Sequence, residues 1–296
     1  MNHIPTIDDY LKAPAHPKRQ SGGTRAAGSE QRDPGQPLAT VVTIVKNNKA
    51  TLPQTIRSVL GQNYPNIEYI IIDGASTDGT LEIIKQFNDS IDLWVSEPDS
   101  GTSEAFNKAV SMAQGDFIFW LSSDDWIEPD FIKTAIRSFL RQDSDFVYGD
   151  MLMDESQNSA RIYRGDKDYI KALRSGYPRF NFVTMVVRKE CFQSAGLIDP
   201  AYKFFSDYEW VLRVHLNGKK GIYNDALVVH HRAGGIGESY SMESVLEHLR
   251  LLRKYELPKA KAMSAYLYYF VRRMPGYFVK LVLPGTLYKK LKSAMG

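Results

Sequence analysis

The chain has 296 residues, 43% of them hydrophobic, and a net charge of +3, which suits a globular protein with a sizeable core and excludes a disordered or fibrous chain. Its one cysteine, Cys191, excludes an internal disulfide and fits a reducing compartment. No apolar run reaches the roughly 18 residues a spanning helix needs, and the N-terminus lacks the apolar core of a secretory signal, so a cytoplasmic protein is expected.

Residues 1–37 hold a short apolar stretch around Ile7–Leu11 and are otherwise rich in Gly, Ser, Pro and charge, which predicts a flexible arm. A first strand is expected over Ala39–Val45, its polar end at Lys46-Asn47-Asn48 leading into a helix with Leu52, Ile56 and Val59-Leu60. The second strand, 67–72, runs into Asp73-Gly74-Ala75-Ser76-Thr77-Asp78-Gly79-Thr80, and Leu81, Ile83-Ile84 and Phe87 mark the next helix. A short strand at Leu93–Val95 precedes Glu97-Pro98-Asp99-Ser100-Gly101. A helix at about 103–113, a strand at 116–121 and a helix at about 129–141 follow.

Near-continuous apolar strands alternating with amphipathic helices predict a doubly wound, mostly parallel sheet. In such sheets ligands gather at the carboxyl ends of the strands. Two strands therefore deliver Asp73 and the pair Asp124-Asp125 towards one crevice, where a hard cation and a phosphorylated ligand would fit. A lone strand-end aspartate is often just a turn former or a helix cap, but two such ends in one unit favour the crevice.

Beyond Asp150 the rhythm changes to shorter strands and loops, with a helix near 206–216, a strand at 225–231 and the glycine-rich Gly234-Gly235-Ile236-Gly237. A helix at 241–255 carries Met242, Val245, Leu246, Leu249 and Leu252 on one stripe, a core pattern. From Lys259 to Gly296 there are eight Lys or Arg and no acid, which leaves the rest of the chain at −5 (+3 less the +8 of this tail). Interleaved with Tyr266, Tyr268, Tyr269, Phe270, Tyr277, Phe278 and Tyr288, these charges suit an anionic membrane surface. The bland alternative is a pair of helices packed on the core. No nucleic-acid motif accompanies the charge, so no nucleic-acid partner is expected.

Taken in order, Val42–Asn48, Leu60–Glu68, Ile72–Thr80, Glu97–Gly101, Asn107-Lys108, Gly115-Asp116 and Ser123-Asp124-Asp125-Trp126 resemble an inverting family 2 glycosyltransferase of the GT-A fold. The resemblance covers about residues 39–240 and is nearest to bacterial enzymes of O-antigen, capsule or exopolysaccharide synthesis. It implies a GT-A domain over 38–240, with a nucleotide-binding half (38–150), an acceptor-binding half (151–240) and a helical, basic-aromatic segment at 241–296.

The resemblance also implies roles. Asp124 and Asp125 would hold Mn2+ or Mg2+ against the donor diphosphate, taking up the charge of the departing nucleotide. Asp73, with Thr43, Val45 and Asn47, would contact uracil and ribose. Asp99 would touch the base or donor sugar, and Lys108 would reach the diphosphate or else remain a surface lysine. Many members carry an acidic or amide residue where this chain has Ser122. In Phe204-Phe205-Ser206-Asp207-Tyr208-Glu209-Trp210 the resemblance makes Asp207 the general base, with Glu209 as rival and Arg213 as that rival's i,i+4 partner. His230 or His231 would complete the metal site, although strand-end histidines are more often structural.

The implied activity is transfer of one sugar from a nucleotide sugar, a UDP-sugar by family habit, to a lipid-linked polysaccharide precursor, on the inner face of the cytoplasmic membrane. Alternatives are a catalytically silent sugar-nucleotide-binding or scaffold protein, and a nucleotidyltransferase; the latter's glycine-rich loop is missing after Val45.

Overall fold

A computed structural model of the chain describes residues 3–25, 28, 33, 35–156, 159–176, 181–232 and 241–273. The stretch 38–150, expected to bind the nucleotide, is built from β2 (Ala39–Val45), α2 (Leu52–Leu60), β3 (Ile67–Asp73), α3 (Thr80–Gln86), β4 (Leu93–Ser96), α4 (Thr102–Met112), β5 (Phe117–Trp120), β6 (Trp126–Ile127) and α5 (Phe131–Arg141). Strands β2, β3, β4 and β5 are mutually parallel, in the order β4-β3-β2-β5.

Alternation along β2 explains why both faces are apolar. Val41 and Val45 face a core formed with α2, α3 and α5, whereas Val42 and Ile44 face a second core formed with α4. Helix α5 fits this arrangement because Phe131, Ile132, Ala135, Ile136 and Phe139 fall on one stripe and are all buried.

The sheet does not stop at residue 150. Strand β7 (Phe146–Ser156) crosses the expected boundary between the two halves and forms a hairpin with β8 (Ser159–Tyr163). Strand β9 (Val186–Arg188) lies antiparallel between β5 and β7, and β10 (Gly221–Arg232) runs parallel to β7. One ten-stranded sheet therefore carries both expected halves. Strand β10 bulges between Tyr223 and Val228, opposite Gly149. A Cβ at Gly149 would come within 2.0 Å of the Leu227 carbonyl, so the bulge requires glycine there.

Helices α6 (Tyr169–Arg174), α7 (Glu190–Ala195), α8 (Ser206–Leu216), α9 (Met242–Lys254) and α10 (Ala260–Arg273) complete the described chain. Cys191, Phe192, Trp210, Val211, Leu251, Leu252, Ala262 and Tyr266 all join the core on the α4 face. The segment after 241 is therefore packed on the domain as far as α10. Among the described residues no helix is long and apolar enough to cross a membrane.

The expected flexible arm is corrected by the structure. Helix α1 (Ile7–Lys12) has a full capping box between Thr6 and Asp9, and Ile7 and Tyr10 pack on the core. Strand β1 (Gln20–Gly22) adds an antiparallel edge to β4. The composition hid this because the segment has no core of its own. Its order comes from ion pairs to carboxylates buried in the domain, Arg19 to Glu97 and Arg25 to Glu68.

Candidate active site

The ends of the neighbouring strands β2 and β3 carry the first group of expected site residues. Asp73 is fully buried, and its carboxylate accepts from Ser96 Oγ at 2.6 Å, from Ser76 N at 3.1 Å and from the Ser76 hydroxyl. Asn47, in the left-handed region at φ 53°, donates its backbone N–H to Ser76 Oγ (2.7 Å) and accepts from Thr77 N (2.8 Å). Asp99 packs over this turn so closely that a Cβ at Gly74 would lie 2.6 Å from its Oδ2. Burial pushes the Asp99 carboxyl up, and Lys46 partly offsets it.

The second group lies in the acidic turn after β5. Leu121 N still bonds to Val42 O, and Asp125 N closes a turn on Ser122 O. Helix α2 grips this turn from one side. Thr51 Oγ1 donates to Ser123 O (3.1 Å), Asn48 Nδ2 to Ser123 Oγ (3.0 Å), and the buried Thr55 Oγ1 to Ser123 O (3.0 Å) and Asp125 O (2.7 Å). From the other side β10 brings His231 Nδ1 to 2.8 Å from Asp125 Oδ1, with Arg232 N at 3.3 Å.

Asp125 is fully buried, and its Oδ2 has no hydrogen-bond partner among the described residues. Burial pushes its carboxyl up, His231 pulls it down, and neighbouring Asp124 pushes it up again. Asp124 is half-buried with no partner among the described residues. A buried carboxylate oxygen without a partner is costly unless a proton or a cation meets it, and the adjacent carboxylate makes a divalent cation a suitable guest. Among the described residues no group of three or more His, Cys, Asp or Glu is arranged to hold a metal, so a cation here would share its coordination with ligand oxygens.

The remaining expected site residues stand at the start of α8. Asp207 is half-buried, accepts from Tyr208 N at 2.7 Å, and has no cationic partner among the described residues. Burial raises its pKa, and the charge of Glu247 raises it further. Glu209, two residues on, is fully buried and held by Arg213 Nε (2.8 Å), Lys254 Nζ (2.9 Å) and Tyr255 OH (2.6 Å). Although burial opposes it, these partners, Arg213 foremost, lower the Glu209 carboxyl. A carboxylate so neutralised is a poor proton acceptor, whereas one whose charge is unsupported is a better one.

The described chain thus holds a strand-end carboxylate pair and, at a helix start, a carboxylate whose pKa is raised by burial. The family model for glycosyl transferase family 2 matches residues 40–195. The chain is a family 2 glycosyltransferase.

An uncharacterized glycosyltransferase of Haemophilus influenzae is 32% identical over 180 residues, 58% of this chain and 71% of that protein. GlyG of Streptococcus pneumoniae is 27% identical over 218 residues, covering 67% and 72% respectively. Among solved structures, S. aureus TarS in complex with UDP-GlcNAc superposes with a TM-score of 0.59 at 15% identity, over 72% of this chain and 65% of that one. The mannosyltransferase PcManGT from Pyrobaculum calidifontis, in complex with GDP-Man and Mn2+, gives 0.56 at 18% identity, over 87% and 70%. Both carry the expected GT-A fold, so the fold expectation stands.

The glycosyltransferase brings Asp73, Asn47 and Asp99 to one strand-end turn, and Asp124 and Asp125 to the neighbouring one. Lys108 is corrected: its ammonium sits on Glu97, near Glu104 (3.7 Å), and it is nearly buried, so it is no free diphosphate contact. Thr43 is also corrected, being wholly inside β2 with its hydroxyl 3.1 Å from Tyr69 OH. Val45 is buried, and its carbonyl accepts from Gly74 N at 2.9 Å.

Of the two histidines, His231 meets the acidic pair. His230 stacks on Trp126 with centroids 3.4 Å apart and lies 3.1 Å from Glu128. The glycine-rich loop 234–237 lies outside the described residues. Sequence reasoning missed Thr51, Thr55, Ser76 and Ser96, since hydroxyls on helices and loops carry no pattern that marks which carbonyl or carboxylate they will meet.

Proposed function

We propose that this glycosyltransferase moves one sugar, with inversion, from a UDP-sugar to a lipid-linked polysaccharide precursor. The observation that carries the reading is the acidic turn: Asp125 is buried, with an oxygen that has no partner among the described residues, beside the half-buried Asp124. Asp124 and Asp125 would hold Mn2+ or Mg2+ together with the donor diphosphate; the ion supplies charge neutralisation of the leaving group. His231 fixes the orientation of Asp125. Asp73, Asn47 and Asp99 shape the nucleoside end of the crevice.

Asp207 accepts the proton of the attacking acceptor hydroxyl, as inversion requires a carboxylate opposite the leaving group. The direction of its pKa shift supports this role, and the captive state of Glu209 argues against the rival. The basic tail after Lys259 is read as a contact with anionic lipid, which would bring enzyme and acceptor together.

A thermal-shift series with UDP and UDP-GlcNAc, with and without Mn2+, tests the reading, because a ligand of the folded state raises the melting temperature. Metal-dependent stabilisation that disappears in Asp124→Ala is expected. If no nucleotide stabilises the protein, the donor site is refuted and a scaffold role follows.

A further inference from the structure

Glu247 lies on α9, some 40 residues beyond Asp207 and outside the stretch matched by the family model. Its carboxylate is nearly buried and takes hydrogen bonds from three consecutive backbone amides: Lys203 N at 2.8 Å, Phe204 N at 2.7 Å and Phe205 N at 2.8 Å. These residues are the approach to α8, and Phe205 is the residue immediately before it. The next residue of α9, His248, stacks on the Phe205 ring with centroids 4.2 Å apart. Three charge-assisted bonds on successive amides fix the entry angle of a helix far more firmly than one cap would.

We propose that Glu247 is the positioning residue for Asp207: it sets where the base stands by holding the 203–205 backbone. Its negative charge also acts on Asp207 in the direction that favours the protonated form. This rests on the reading of Asp207 as the base.

The remaining charged groups of the packed elements do not replace it. His248 is buried, which lowers its pKa to about 4 and leaves it neutral at pH 7. Lys203 and Glu243 form an exposed pair at 3.9 Å. Glu209 is consumed by Arg213, Lys254 and Tyr255, and Arg174 of α6 acts on His215, at the far end of α8. Burial is the chief cause of the raised Asp207 carboxyl, and the charge of Glu247 adds to it.

Three variants of the full chain separate geometry from charge. The Asp207 carboxyl is titrated by 13C NMR of aspartate-labelled protein, with Asp207→Asn assigning the resonance. Turnover is followed as UDP released from UDP-GlcNAc. Glu247→Gln removes the charge, so the Asp207 midpoint should move to lower pH, and the acid limb of kcat with it. Glu247→Asp keeps the charge but is one methylene short of three amides. Its midpoint should stay near wild type while kcat falls about tenfold or more, in keeping with the cost of ångström-scale misplacement, and KM for the donor should change little.

An unmoved Asp207 midpoint in Glu247→Gln, or wild-type kcat in Glu247→Asp, overturns the proposal. If Asp207→Asn itself turns over normally while the Glu247→Gln midpoint still moves, the base assignment fails and the coupling of Glu247 to Asp207 stands.

Discussion

Arg19 and Glu97, 78 residues apart, form a two-bond ion pair, with Nε 2.6 Å from Oε2 and Nη2 2.9 Å from Oε1. Lys108 closes on the same carboxylate from α4. A segment that precedes the family-matched stretch is thereby tied to the loop that carries Asp99 into the crevice.

That tie is pH-dependent. Burial alone would raise the Glu97 carboxyl, but Arg19 and Lys108 outweigh it and hold it at about 2, below its ordinary 4.5. A carboxyl depressed on folding contributes stability that is complete above its unfolded pKa and is lost as pH falls towards the folded one. Hydrogen exchange in the peptide spanning β1, corrected for intrinsic rates, should stay slow at pH 7 and accelerate between pH 4.5 and 2. Arg19→Met should loosen the same peptide at pH 7; unchanged protection there would show that β1 pairing suffices.

Asp207 and Glu209 should separate cleanly by substitution. Asp207→Asn leaves packing intact, so melting and UDP stabilisation are expected to stay close to wild type while transfer falls by about a hundredfold to ten-thousandfold, the span of general-base catalysis. Glu209→Gln strands Arg213 and Lys254 beside a buried site and should cost about 3–5 kcal/mol of stability, as loss of one partner of a buried pair does. Denaturant unfolding of both variants checks the pair of outcomes, and a stable, inactive Glu209→Gln would reverse the roles.

Thr55→Val is isosteric but removes the hydroxyl bonded to Ser123 O and Asp125 O. Ser123 O keeps Thr51 as a donor, but the Asp125 carbonyl loses Thr55, which should destabilise by about 1–3 kcal/mol. The acidic turn would also loosen, so Mn2+-dependent stabilisation by UDP should shrink by more than the loss of stability explains. A drop in melting temperature with full ligand response would confine Thr55 to a structural part.

The membrane test is set by where α10 packs. Ala262 and Tyr266 are buried, and Tyr266 OH bonds to His248 Nδ1, so truncation at 259 removes core as well as charge. Deleting 274–296, which lies outside the described residues, should weaken sedimentation with phosphatidylserine vesicles at low salt. Equal sedimentation would remove the tail from the membrane role.

Much of the nucleotide half was legible because apolar periodicity and packing agree there. β2 matched its expected 39–45, and β3, α4, β5 and α5 fell within about two residues of expectation. The second half was harder to read. Strand β10 was expected over 225–231 but begins at Gly221, because its bulge interrupts the alternation. The flexible-arm expectation failed for a related reason: Arg19 and Arg25 look like solvated charges until Glu97 and Glu68 are placed beneath them.

By itself the sequence determined the sheet, its strand-end carboxylates and the family, since buried parallel strands and their terminal acids are written in local residue order. Only the tertiary structure decided which charges are available for chemistry. It withdrew Lys108 to Glu97 and Glu209 to Arg213, left Asp125 Oδ2 without a partner among the described residues, and brought His231 to Asp125 and Glu247 to the approach of Asp207. A side chain's proton affinity and reach depend on burial and on partners dozens of residues away, and no local pattern encodes those pairings.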